Sequence, residues 1–194
     1  MIYLRQGGHI YEKISSFHAR SAEHFTAIIH CRLWHDKVSG EEKTYSNAAK
    51  TFSVQLPAED KGSWKVNKDA TDDVLDLSDE KDTINIQVQC LPKNEAQYIA
   101  TDLDSYEQYA MINTLEDLLS SMKLKETKID TPDFITKTDA QSITLEDGDN
   151  TVKGIVVFME SDSCYYTYLI MAVDKTYDAN EDVLLSSIMS LKEL

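Results

Sequence analysis

The chain has 194 residues, 42% of them hydrophobic, with 34 acidic against 19 basic side chains and a formal net charge of -15. That length suits one domain with its own core plus an appendage, not two large domains. The acidic balance repels phosphate backbones and anionic headgroups, so nucleic acid and direct membrane-surface binding are disfavoured, and no stretch approaches the roughly 20 apolar residues of a membrane span.

The charge is unevenly spread. Residues 1–50 carry seven Lys and Arg against five Asp and Glu, with all five histidines (His9, His18, His24, His30, His35) and all three arginines (Arg5, Arg20, Arg32). From residue 51 onward neither His nor Arg occurs. Three explanations compete for this first segment. It is a small folded appendage, with Ile14, Phe17, Phe25, Ile28 and Ile29 partly at helical spacing; or a partner-binding or targeting tail; or an unnatural leader standing where a processed one belongs. The last is favoured, although no signal peptide is written there: "FTAII" is short for an apolar core, and His30 occupies the position where a lipoprotein cleavage site wants a small residue before Cys31. The expected division is therefore 1–44, a poorly defined segment outside the folded domain, and 45–194, the domain.

The first ordered element expected is "TFSVQL", where Phe52, Val54 and Leu56 alternate with polar residues until Pro57 ends the pattern. Trp64 and Val66 mark a short extended segment, "DDVLDLSDEKD" holds a third strand, and residues 83–91 a fourth, with Ile84, Ile86, Val88 and Cys90 on one face. Its opposite face, Asn85, Gln87 and Gln89, is polar and expected to be only partly covered. The strongest helix signal is "TDLDSYEQYAMINTLEDLLSSMK". Asp102 or Asp104 caps it, and Tyr106, Tyr109, Ile112, Leu115, Leu119 and Met122 recur at steps of three and four. Strands follow in "KLKETKID" and "AQSITLED", then "DGDN" supplies a hairpin turn into "TVKGIVVFMES" and "ESDS" a second turn into "CYYTYLIMAVD". That final strand is apolar on both faces, so both are expected to be covered. A closing helix, "ANEDVLLSSIMSLKEL", is capped by Asn180 and turns Val183, Leu184, Ile188 and Leu191 inward. The fold class expected is α/β of the α+β type, an antiparallel sheet between helices.

Cys31, Cys90 and Cys164 show no metal-ligand or CxxC spacing. Cys90 and Cys164 read as small buried apolar residues; a disulfide between them needs adjacent strands and an oxidising compartment, neither visible in the sequence.

A strand ending in "LP", a nearby Trp, a long helix, a Tyr-rich last strand and a closing helix ending in a Ser-Leu-Lys signature resemble the PsbP-like superfamily, whose relatives include the Ran-binding Mog import factors and bacterial lipoprotein domains. The matching pieces are "FSVQLP", "GSWKV", "KGIVVFMESDSCYYTYLIMAV" and "IMSLKEL", and the likeness covers about residues 45–194. Leu191 stands where the family more often has Phe, a change a core absorbs. The resemblance implies a helix, antiparallel sheet and helix sandwich that binds another macromolecule, with no catalytic residues to carry over. In its bacterial relatives it also implies export and lipid anchoring.

The residues themselves argue the same way about chemistry. From residue 51 there is no His for acid–base work and no Arg to clamp phosphate, and GxSxG, HExxH, P-loop and GxGxxG motifs are absent. "DGDN" begins like a calcium loop, but Val152 stands where Gly is needed and Phe158 where Glu should be. No catalytic, cofactor or metal residue is therefore assigned. The tyrosines offer a better hint, since they serve cores and interfaces alike. Most are expected inside. Trp64, Tyr165, Tyr166, Tyr168 and Tyr177 are the candidate partner-binding aromatics, on condition that one or two of the tyrosines lie exposed together with Trp64. The expectation is a non-enzymatic protein-binding or assembly module whose acid-ringed surface takes a basic or neutral protein partner. Its rivals are a small-ligand or metal-dependent enzyme, which would show an enclosed pocket, and a cytoplasmic adaptor.

Overall fold

A computed structural model describes residues 38–194 except 59–63, 68–69, 120 and 148–149. The readings made of residues 1–37, Cys31 included, lie outside the described residues, as does the centre of the "DGDN" turn. In the described residues, the strands are β1 (Glu41–Ser46), β2 (Phe52–Ala58), β3 (Lys65–Val66), β4 (Val74–Ser78) and β5 (Ile84–Pro92). Helices α1 (Lys93–Ala96) and α2 (Leu103–Leu119) follow, then β6 (Met122–Glu126), β7 (Lys137–Asp147), β8 (Asn150–Glu160) and β9 (Cys164–Val173). The chain closes with α3 (Asp174–Met189) and β10 (Lys192–Glu193).

The main sheet is antiparallel, in the order β3-β4-β5-β9-β8-β7-β6. β9 therefore lies inside the sheet, between β5 and β8. Its alternation feeds two cores. Tyr166, Tyr168, Ile170 and Ala172 join Ile84, Ile86 and Val88 of β5 in one, under β2 (Phe52, Val54, Leu56) and α3 (Leu184, Ile188). Tyr165, Leu169 and Met171 join Val156 and Phe158 of β8 in the other, under α2 (Leu103, Tyr106, Ala110, Leu115). The double covering expected of the last strand is found. A second sheet, β1-β2-β10, was not anticipated; it shares the α3 side of the main sheet.

Several local readings differ from the structure, among them Met122, which opens β6 instead of continuing α2, and Leu191, which lies beyond the end of α3. The sheet reaches back to Glu41, paired with Ala58, and the Val38 N–H donates to Asn180 Oδ1 at 2.5 Å, so order begins before residue 45. Pro57 does not end β2. β10 pairs only with Phe52 and Ser53, so at Pro57 the strand has a neighbour on one side, where a missing N–H is tolerated. Asn180 is no cap: α3 starts directly off β9 at Asp174, and Asn180 is buried within the helix, its Nδ2 donating to the Thr176 carbonyl. On α2, Asp102 is the capping residue, its Oδ1 accepting the Ser105 N–H at 2.9 Å, but Ile112 is 55% exposed. At 100° per residue Ile112 stands opposite Leu103 on the helix, and small Ala110 takes the inward position.

The polar face of β5 is also better covered than its composition suggests. Asn85 and Gln87 are buried together with Asp76 of β4. Asp76 Oδ1 accepts the amides of Asn67 and Asn85, each at 2.8 Å, and the second Asn85 N–H bond goes to the Leu77 carbonyl. Burying polar groups is tolerable here because these donors and acceptors meet.

Candidate functional site

Chemistry-bearing side chains gather where β5 ends and β9 begins. The Lys93 N–H donates to the Ser163 carbonyl at 2.8 Å, tying the start of α1 to the turn before β9. Alternation along β9 then sends its first residues to opposite faces.

On the α2 face, Glu160 at the end of β8 is mostly buried and holds two cations: Lys93 Nζ is 2.7 Å from Oε1 and Lys137 Nζ is 3.2 Å from Oε2. Lys93 Nζ also stands 5.3 Å from the Tyr165 ring centroid, and Tyr165 stacks on Tyr106 at 5.0 Å. The Lys93 hydrogen bond is the main influence holding the Glu160 carboxyl below its ordinary value of 4.5. A lowered folded-state value means that the pairing stabilises above the unfolded-state value and is lost as pH falls through the folded one. Lys93→Met is expected to cost about 1–2 kcal/mol at pH 7, and the deficit should narrow well below pH 4.5. Urea unfolding of both chains at pH 7 and pH 3 checks this; equal deficits at both pH values would assign the loss to packing instead.

On the opposite face, Glu193 of β10 is an acceptor for three hydroxyls. Its Oε1 lies 2.7 Å from Ser161 Oγ, 3.0 Å from Ser163 Oγ and 2.9 Å from Tyr166 Oη. Cys164 sits beside this group, half-buried, its sulfur 3.6 Å from Ser163 Oγ, and buried Cys90 lies one diagonal step away on β5. A nucleophilic hydrolase needs a free base at its nucleophile and preorganised donors for an oxyanion. Here the nearby carboxylate oxygen already accepts three hydroxyls. Among the described residues no three His, Cys, Asp or Glu side chains converge as metal ligands.

The five aromatics proposed for partner binding are all buried, from 0% exposure for Tyr168 to 7% for Tyr177. Trp64 Nε1 donates to the Pro57 carbonyl at 3.0 Å, Tyr166 Oη to Glu193, and Tyr168 Oη to Ser187 Oγ at 2.9 Å. Tyr165 lies in one core; Trp64, Tyr166, Tyr168 and Tyr177 lie in the other. They do not form a surface patch, because β9 is covered on both sides and the Tyr166 and Tyr168 hydroxyls find partners inside. Among the described residues the exposed aromatic is Tyr98, 84% accessible on the turn between α1 and α2. The cysteine contact and the Glu193 cluster gave no signal in the sequence, since both depend on β5 and β10 reaching distant partners. Shared parity of Cys164 with Tyr166 was the one available clue.

No protein-family model matches the chain, and no curated protein matches it in sequence. In structure it is similar to cyanobacterial PsbP (CyanoP) from Synechocystis sp. PCC 6803, with a TM-score of 0.54 at 11% identity, covering 82% of this chain and 95% of that one. Weaker likenesses are to a Bacteroides thetaiotaomicron protein (TM-score 0.47, 11% identity, 80% of this chain and 49% of that one) and a Pseudomonas aeruginosa protein of unknown function (0.43, 13%, 80% and 99%). The architecture is thus PsbP-like: mixed α/β, with antiparallel sheets flanked by helices.

Proposed function

We propose that the domain is a non-enzymatic protein-binding or assembly module that works outside the cytoplasm, held by a lipid anchor, and that it meets its partner through the turn bearing Tyr98. The observation that carries the binding surface is the exposure of Tyr98 among exposed Asn94, Glu95, Gln97, Asp102 and Asp104. An aromatic ring held in water offers a partner a large contact area at little conformational cost, and is enriched at interfaces. The acid around it selects a basic or neutral partner. The extracytoplasmic setting rests on the sequence resemblance alone.

A photo-reactive phenylalanine analogue placed at position 98 in native cells should trap one discrete protein, with capture weakened by high salt. The same probe at Lys125, exposed on edge strand β6, should not trap it. Identical capture from both positions would overturn the Tyr98 surface. Recovery of the trapped complex in the soluble fraction, with Met1 intact, would overturn the anchored setting.

A further inference from the structure

The register of β5 against β9 pairs Cys90 with Tyr166 and Pro92 with Cys164. Cys90 and Cys164 therefore share one face, one diagonal step apart on neighbouring strands, a spacing of roughly 7–8 Å before twist is considered. The right-handed twist of antiparallel strands draws one of the two diagonals together. Cys90 lies in the α3-side core and Cys164 packs against it, and each thiol is the leading influence on the ionisation of the other. We propose that Cys90 and Cys164 are a redox-active dithiol that closes to a cross-strand disulfide between β5 and β9 on meeting a small-molecule disulfide, Cys164 attacking and Cys90 resolving.

Access and ionisation divide the roles in this order. Cys164 is half-buried at the mouth of β9, whereas Cys90 is 5% exposed. The groups facing Cys164 are Cys90 from β5, Ser163 from the preceding turn, Tyr166 from its own strand and Glu193 from β10. The neighbouring Cys90, then Ser163 and Tyr166, lower the Cys164 thiol to about 7 against the opposing influences of burial and the Glu193 charge. The same contact, with burial, pushes the Cys90 thiol far up. An accessible, partly ionised thiol beside a protonated resolving one is the arrangement that thiol–disulfide exchange requires.

The exchange balances. Cys164 thiolate attacks one sulfur of the disulfide RSSR, forming Cys164–S–S–R and expelling RS⁻. Cys90 then loses its proton to solvent and its sulfur attacks Cys164 Sγ, forming the protein disulfide and expelling the second RS⁻. Two protein thiols are oxidised by two electrons, and RSSR is reduced to two RSH. The chemistry is independent of any partner at Tyr98, so it is tested on the purified full-length chain.

Oxidised glutathione is the probe. After acid quench, alkylation and tryptic digestion without reduction, the three cysteines fall in separate peptides: 21–32 for Cys31, 82–93 for Cys90 and 154–175 for Cys164. Monomer isolated from the reaction should yield peptide 82–93 linked to 154–175, lighter by two hydrogens than their sum, with two glutathiones released per chain. The rate should rise several-fold from pH 6 to pH 8, following ionisation of Cys164. Cys90→Ser should instead stop at a glutathione adduct on peptide 154–175. Glutathione retained on Cys90 and Cys164 together, links made only to peptide 21–32, or no reaction of Cys164 in a natively folded chain would each overturn the proposal. The wild-type mapping decides the matter even where a variant fails to fold.

Discussion

Replacing Gly154 with alanine should destabilise the protein by about 3 kcal/mol or more, a loss of the size expected when a packed interior is forced apart. Gly154 is in β8, opposite Met171 of β9 and Ile143 of β7. A Cβ built there stands 2.2 Å from the Ile170 carbonyl oxygen and 2.5 Å from Met171 Sδ. The sulfur ends a flexible side chain and moves cheaply. The carbonyl is main chain in the strand next door, so β8 and β9 must separate where both cores depend on them. For a chain of this length the loss corresponds to roughly 6–12 °C in Tm. Urea unfolding followed by circular dichroism checks it. Adding Met171→Ala to Gly154→Ala should recover little, because it relieves only the sulfur contact; full recovery would show that the Ile170 carbonyl is not the obstacle.

Asn47→Ala is expected to cost about 2–4 kcal/mol, since one buried side chain satisfies several groups at once. Asn47 is 2% exposed. Its Oδ1 accepts the N–H groups of Thr51 and Phe52 at 2.9 and 3.2 Å, and its Nδ2 donates to Thr51 Oγ1 at 2.8 Å and to the Asp72 carbonyl. These bonds fix the turn from β1 into β2, in which Lys50 is held at φ 56°, and fasten it to the approach to β4. Asn47→Asp keeps the acceptor and loses both donors, so its unfolding midpoint should fall between those of wild type and Asn47→Ala. A midpoint for Asn47→Ala within 0.5 kcal/mol of wild type would show that water replaces the network without penalty.

The parts of the fold that were legible in the sequence are those written in local periodicity. Alternation at Phe52, Val54 and Leu56 gave β2, and the run of Ile84, Ile86, Val88 and Cys90 gave β5 with the correct inward face. The apolar character of both sides of β9 announced its two coverings. What failed depended on partners far along the chain. β10 is only two residues long and takes its strand character from Phe52 and Ser53, so no pattern in "SLKEL" separates it from a helix end. Asn180 looked like a cap because capping residues and buried hydrogen-bonding residues are of the same types; its position inside α3 follows from β9 passing directly into the helix. The aromatic candidates failed for a related reason, since tyrosine composition carries no information on which side a ring ends. The meeting of Cys90 with Cys164 spans 74 positions of sequence and is fixed only by strand order.

The amide and carboxylate group on the α2-side face of β4 and β5 has a consequence for alignment. Slide β4 by two residues along β5, and each strand would still present aliphatic groups to the α3-side core, because Leu75 and Leu77 are interchangeable there and so are Ile84, Ile86 and Val88. Oil does not count rungs. The reverse side does in one direction: a slide that moves Asp76 from opposite Gln87 to opposite Gln89 takes it away from Asn85 and strands that amide where water is scarce. The polar face thus acts as a key that rejects an alignment of nearly equal apolar contact, a service to uniqueness of the fold that its contribution to overall stability would not reveal.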